Sequence, residues 1–135
     1  MTELLVDTDV FSYLFRNDSR SEVYRPHLEG NRLFLAFQSL AELYRWAAER
    51  QWGHATRSRL HESLRKHYTI LMPDVSTAEH WAQVMAHASG IGRSLAPMDA
   101  WIAAIALRHR LPLVTHNRNH FSSVNGLTLI TERTD

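Results

Sequence analysis

The feature that most constrains this chain is an alternation of two patterns. Short apolar runs are separated by longer stretches in which apolar residues recur at helical spacing. Leu4-Leu5-Val6 is the first run and it ends at two acids, Asp7 and Asp9. Arg32 to Phe37 (RLFLAF) is the second, and Thr69 to Met72, stopped by Pro73, is the third. Pro112 to Thr115 and Leu127 to Ile130 are the fourth and fifth. A strand that is apolar along its whole length is buried on both faces, which calls for a parallel sheet covered by helices. The helices are predicted at Val10 to Arg16, Ser39 to Arg50, His54 to His67, Ser76 to Ser89 and Pro97 to Arg110. Leu40, Leu43 and Ala47 form one inner stripe, and Leu60 and Leu64 another. Gly53 separates the second and third helices, Ser76 or Asp74 caps the fourth, and Pro97 opens the fifth where its missing N–H does no harm. The expected fold is α/β, with three layers around a central parallel sheet of four to five strands. With 135 residues, no repeat and no linker, a single domain over 1–135 is expected.

Composition removes several classes of function. No apolar run is long enough to span a membrane. The opening MTELLVDTD has neither a basic region nor a small-residue cleavage site, so a secretory signal is not expected. The absence of cysteine rules out disulfides and thiolate metal sites, and a cytoplasmic location is expected. A net charge of +1 selects no partner class. The fifteen basic residues include a single lysine, Lys66, which leaves fourteen arginines. Arginine binds phosphates as a fork and stacks on bases, although GC-rich coding produces the same bias. Arg45, Arg50, Arg57, Arg59, Arg65 and Lys66, set against Glu49 and Glu62, make a locally basic segment. It is either a nucleic-acid contact or a solvated helical face.

In an open parallel sheet ligands bind at the carboxyl ends of the strands, and three acids fall there. Asp7 follows the first strand, Glu42 lies in the first turn of the predicted helix after the second, and Asp99 lies in the first turn of the last helix. Asn117 follows the fourth strand in LVTHNRNHF. Each has a local explanation. Ser39 to Glu42 matches a capping box, Asp99 suits a helix dipole, Asp9 can cap a helix and Asn117 suits a turn. Together they are harder to explain locally. Carboxylates about 5 Å apart repel by roughly 3 kcal/mol per pair at an effective dielectric of 20. A divalent cation compensates that repulsion, and an all-oxygen ligand set suits Mg²⁺ or Mn²⁺ rather than zinc. The chemistry implied is phosphoryl transfer or phosphodiester hydrolysis.

Other acidic phosphoryl sites fit less well. Asp7-Thr8-Asp9-Val10 is similar to the phosphatase pattern of the haloacid dehalogenases, but that family and the receiver domains need a late lysine, and Lys66 precedes the third strand. No glycine-rich phosphate loop is present. Over nearly its full length the chain resembles PIN-domain proteins, and among them the VapC-type ribonuclease toxins of toxin–antitoxin pairs. The resemblance is carried by LLVDTDVFSYLF, SLAELYRWA, APMDAWIAAIAL and LPLVTHNRNHF, in that order and spacing.

The resemblance implies a PIN-like α/β/α fold. It implies a Mg²⁺- or Mn²⁺-dependent endoribonuclease with Asp7, Glu42 and Asp99 as metal ligands and Asn117 as the fourth site position. Asn117 stands where the family often has Asp, which puts a second tightly bound metal in doubt. Asp9 is read as a partner of the site or as a cap, and Thr115 as an orienting hydroxyl. Arg16, His116 and Arg118 are expected to touch RNA phosphates, and a zinc site at His116 and His120 is not expected. Trp46, Trp81 and Trp101 are read as core or dimer contacts, and Trp52 as a stacking or partner-binding surface. A small VapB-like antitoxin and a homodimer are the expected protein partners. The competing readings are a PIN scaffold that binds RNA or protein without cutting, and a PIN nuclease of RNA maturation.

Overall fold

The computed structural model describes residues 1–133; residues 134 and 135 of the expected domain lie outside the described residues. The order along the chain is β1 (Glu3–Val6), α1 (Thr8–Phe15), α2 (Ser21–Leu28), β2 (Arg32–Ala36), α3 (Phe37–Glu49), α4 (His54–His67), β3 (Tyr68–Leu71), α5 (Val75–Gly90), α6 (Pro97–His109), β4 (Leu113–Val114), a short 3₁₀ turn (Arg118–Phe121) and β5 (Leu129–Ile130). The five strands form one sheet in the order β3-β2-β1-β4-β5. Every neighbouring pair is parallel.

The pleat divides the apolar residues between two cores. Leu5, Phe34, Ala36 and Leu113 face α5 and α6. Leu4, Val6, Leu35 and Val114 face the other way, against α1 to α4. Because side chains alternate along a strand, an uninterrupted apolar run fills both cores, and three layers result. α6 lies deep in this arrangement because Ala100, Ala103, Ala104 and Ala106 keep it slender, each at most 1% exposed.

Several local expectations are corrected. The polar helix α2 was not anticipated; it contains Pro26, and its one large fully buried side chain is Tyr24. α1 is capped by Asp7 rather than Asp9, the Asp7 carboxylate accepting the Thr8 N–H. α3 begins at Phe37 with Ala36 as a cap that makes no side-chain bond, so Ser39 and Glu42 form no capping box. The cap of α5 is as expected: of Ser76 and Asp74 it is Asp74, whose carboxylate accepts the Thr77 N–H while the Thr77 hydroxyl accepts the Asp74 N–H.

The basic segment is largely engaged within the protein. Arg57 donates to the carbonyls of Trp52 and Ala47, and Arg59 to that of Phe15. Arg45 pairs with Glu49, and Arg65 and Lys66 pair with Glu62. Trp52 is half-buried and stacks on Phe15 at 5.8 Å, which makes it a flank of the core rather than an open platform. Trp46 packs on the same core, while Trp81 and Trp101 stack on one another at 4.9 Å. Among the described residues no helix is long and apolar enough to cross a membrane.

Candidate active site

From β1 the chain moves outward through β2 to β3, then returns to add β4 and β5 on the other flank. The crevice where these two directions part, at the carboxyl ends of β1 and β4, is where an open parallel sheet builds a site. Asp7 is the first residue past β1 there, and Thr115, His116 and Asn117 are the first three past β4. α3 and α6 bring Glu42 and Asp99 to the same place.

Asp7 is only 4% exposed and held on both oxygens. Oδ1 accepts the Thr8 N–H at 2.8 Å, and Oδ2 accepts the hydroxyl of the fully buried Thr115 at 2.7 Å. The Thr115 oxygen in turn accepts the Asn117 N–H at 3.1 Å. Glu42 is steered by Thr8, whose hydroxyl donates to its Oε1 at 2.8 Å and shares a 2.7 Å hydrogen bond with Ser39. Asp9 ties the first turn of α1 to the loop after β4: Oδ1 accepts the Val10 N–H at 2.7 Å, and Oδ2 accepts the His116 N–H at 3.0 Å. Asp99 Oδ2 lies 3.3 Å from His120 Nδ1 on the 3₁₀ turn. Asn117 enters through its backbone, its carbonyl accepting the His120 N–H at 3.0 Å.

The electrostatics follow from this crowding. Burial pushes the Asp7 carboxyl well above the usual carboxylate range; the Asp9 charge and, more weakly, Asp99 add to the push, while the bonds from Thr115 and Thr8 pull back. Burial also raises Asp9, opposed by the N–H groups of Val10 and His116. Glu42 is raised by burial and by the charges of Asp99 and Asp9, against the Thr8 bond. Asp99 is raised by burial and pulled down by His120. Asp7 therefore feels Asp9 and Asp99, and Glu42 feels Asp99 and Asp9, which links the four acids into one electrostatic group. Among the described residues no arginine or lysine forms an ion pair with any of them; the one such contact is the His120–Asp99 pair.

This donor set fits a hard divalent cation, since buried oxygen ligands with surplus negative charge are what such an ion neutralises. Among the described residues no three His, Asp or Glu side chains already stand as a closed ligand cage.

The remaining expected residues are distributed unevenly. His116 borders the acids through Asp9, and the exposed Arg118 begins the 3₁₀ turn beside Asn117. Arg16 caps the far end of α1, about 13 Å along the axis from Asp7, where it bonds Ser12 and faces Asp18. It is not brought to the acids. Thr8, Ser39 and His120 join the site without having been anticipated as part of it. Thr8 had a visible signal, lying between Asp7 and Asp9, whereas Ser39 and His120 reach the acids only through the fold. A groove of about 550 Å³, lined in part by Phe11, Leu28, Leu33, Arg59 and Tyr68, contains none of the four acids and is separate from this chemistry.

Comparison with known proteins identifies the family and the fold. The family model described as PIN domain matches residues 4–127. The chain belongs to the PIN domain family. It is 27% identical over 127 residues to the tRNA(fMet)-specific endonuclease VapC of Shigella flexneri, covering 94% of this chain and 96% of that one. It is 28% identical over 125 residues to ribonuclease VapC1 of Haemophilus influenzae strain R2866, covering 91% and 92%. Among solved structures it superposes on VapBC2 of Rickettsia felis with a TM-score of 0.85 at 19% identity, covering 98% of this chain and 100% of that one, a likeness of fold. VapBC-1 of nontypeable Haemophilus influenzae gives a TM-score of 0.78 at 25% identity, with 96% and 98% covered.

Proposed function

We propose that this PIN protein is a divalent-metal-dependent endoribonuclease, the toxin of a toxin–antitoxin pair held in check by a VapB-like antitoxin. The observation that carries this reading is the group of four mutually repelling acids at the switch point of the sheet, without a lysine or arginine paired to them among the described residues. The names of the similar proteins, an endonuclease and a ribonuclease, supply the reaction class.

In this reading Asp7, Glu42 and Asp99 hold Mg²⁺ or Mn²⁺, and Asn117 completes the site with an uncharged oxygen. Bound there, such a cation would acidify a water and offset charge on a phosphoryl oxygen. Thr115 and Thr8 hold Asp7 in one rotamer, so its geometry is set before substrate arrives. Thr8 aims Glu42, which orients the attacking water. That water adds to phosphorus as the bond to the leaving oxygen breaks, and the leaving oxygen departs with a proton. His116 and Arg118 meet backbone phosphates. The chain works as one domain in the cytoplasm, where RNA and an antitoxin are at hand, and it pairs with a second copy of itself.

The test is expression of the chain alone, with mapping of cleaved RNA ends in vivo and with purified protein in Mg²⁺, Mn²⁺ or EDTA. Growth arrest and cleavage are expected, lost in EDTA and in Asp7→Asn and Asp99→Asn variants that remain folded. Full cleavage in chelator overturns the metal mechanism. Binding of RNA without cleavage by the wild type in both metals supports the non-enzymatic scaffold instead.

A further inference from the structure

We infer that Tyr24 is a positioning residue which fixes His116 in the tautomer carrying its proton on Nε2, making that N–H a donor to a substrate phosphate oxygen. The Tyr24 side chain is fully buried in α2, and its hydroxyl has three partners. The Glu132 backbone N–H donates to it at 3.1 Å, His116 Nδ1 lies 2.6 Å away, and the Thr115 carbonyl lies 3.5 Å away.

A phenol has one proton to give. Donated to Thr115 it would make a bond at the limit of length; donated to Nδ1 it makes a short one. The contact of 2.6 Å is also shorter than ordinary N–H···O bonds and falls within the range where a hydroxyl donates. The hydroxyl therefore gives its proton to Nδ1 and accepts from Glu132. A neutral imidazole whose Nδ1 accepts must carry its proton on Nε2.

The ring is fixed from other directions as well. Tyr13 and Tyr24 meet it edge-on at 5.6 and 5.7 Å. The His116 backbone N–H is bound to Asp9 Oδ2. Nε2 has no hydrogen-bond partner among the described residues and is not among the buried unpartnered atoms, so it is open to solvent. The result is an aligned donor at the rim of the acidic cluster. Such a donor suits a phosphodiester oxygen, the kind of acceptor that takes a large share of the hydrogen bonds a protein makes to a nucleic acid. A donor on Nε2 also makes neutral His116 a binding group rather than a general base. The phosphate half of this inference rests on the ribonuclease reading; the tautomer half does not.

The experiment has two arms. In the first, ¹⁵N-histidine NMR of the wild type, at a pH well above the ordinary histidine range, reads the protonation of each ring nitrogen, with the His116 signals assigned by their loss in His116→Gln. Nδ1 is expected unprotonated and shifted by an accepted hydrogen bond, and that shift is expected to relax in Tyr24→Phe while the other histidine signals stay in place. A protonated Nδ1 in the wild type overturns the assignment. In the second, the Kd of an RNA oligonucleotide is measured in EDTA, which withholds the cation that cutting needs, for the same proteins and for His116→Ala.

His116→Ala is expected to bind about three- to tenfold more weakly, the loss of one hydrogen bond. His116→Gln, whose amide offers N–H at a similar reach, is expected to recover most of that loss. Equal affinity of wild type and His116→Ala overturns the phosphate role whatever the tautomer. Failure of the wild type to cut unmodified RNA bears on the ribonuclease reading alone, since neither arm depends on cleavage.

Discussion

Asp7 shows how a buried acid can cost stability. Its pKa is raised in the folded protein, mainly by burial. Between the ordinary aspartate range and that raised value the folded state keeps a proton that the unfolded chain has lost. Stability therefore falls as pH rises through this window and stays lower above it. Asp7→Asn removes the slope, because the Thr115 hydroxyl can turn to accept from the new amide. In metal-free buffer at neutral pH the variant is expected to be more stable than wild type, read as a higher Tm. The two are expected to converge in acid below the aspartate range. Thermal melts across pH in EDTA check this, and a wild type that gains stability with rising pH over the window contradicts it. The same residue scale shows what the sequence could reveal. Asp7, Glu42 and Asp99 were legible because the apolar runs place them at strand ends and helix starts. The bonds from Thr8 to Glu42, Asp9 to His116 and His120 to Asp99 were not, since each joins segments far apart in the chain.

Among the elements, α6 depends on small residues. Ala103 is fully buried where the helix meets the sheet core. Ala103→Leu is expected to destabilise by about 1–3 kcal/mol through overpacking, read as a lower denaturant midpoint with an unchanged slope. Cleavage is expected to fall more than stability alone explains, because the same helix carries Asp99. α6 was readable from Pro97 and its apolar length, and α3 from its stripe at Leu40, Leu43 and Ala47. α2 was not, because eight residues that include Pro26 and bury only Ser21, Tyr24 and Leu28 give no period to detect. The cap of α1 was misread by two residues, since Asp7 and Asp9 are equally good caps by type and only the end of β1 at Val6 distinguishes them.

At the scale of the whole molecule, the sheet order places acids from separate segments in one crevice, so their repulsion acts on global stability. An ion that binds the folded state alone stabilises by mass action, about 2.7 kcal/mol at a hundred times its Kd. Mg²⁺ or Mn²⁺ is therefore expected to raise the Tm of the wild type, and to raise it much less in Asp7→Asn or Asp99→Asn. Equal shifts in all three proteins would locate the ion elsewhere. The three-layer architecture was legible from the five apolar runs alone. The strand order was not, since no local pattern says that β4 joins β1 rather than β3.

That order has a consequence during synthesis. β1 is made first and lies at the centre, but its second neighbour, β4, is Leu113–Val114, and the clasp on Asp7 is Thr115. A nascent chain can carry all three acids out of the ribosome and still lack the loop that organises them. Ribosome-bound chains arrested before Leu113 emerges are expected to leave RNA uncut, so the translating machinery meets a finished nuclease only after β4 and the loop behind it have left the tunnel.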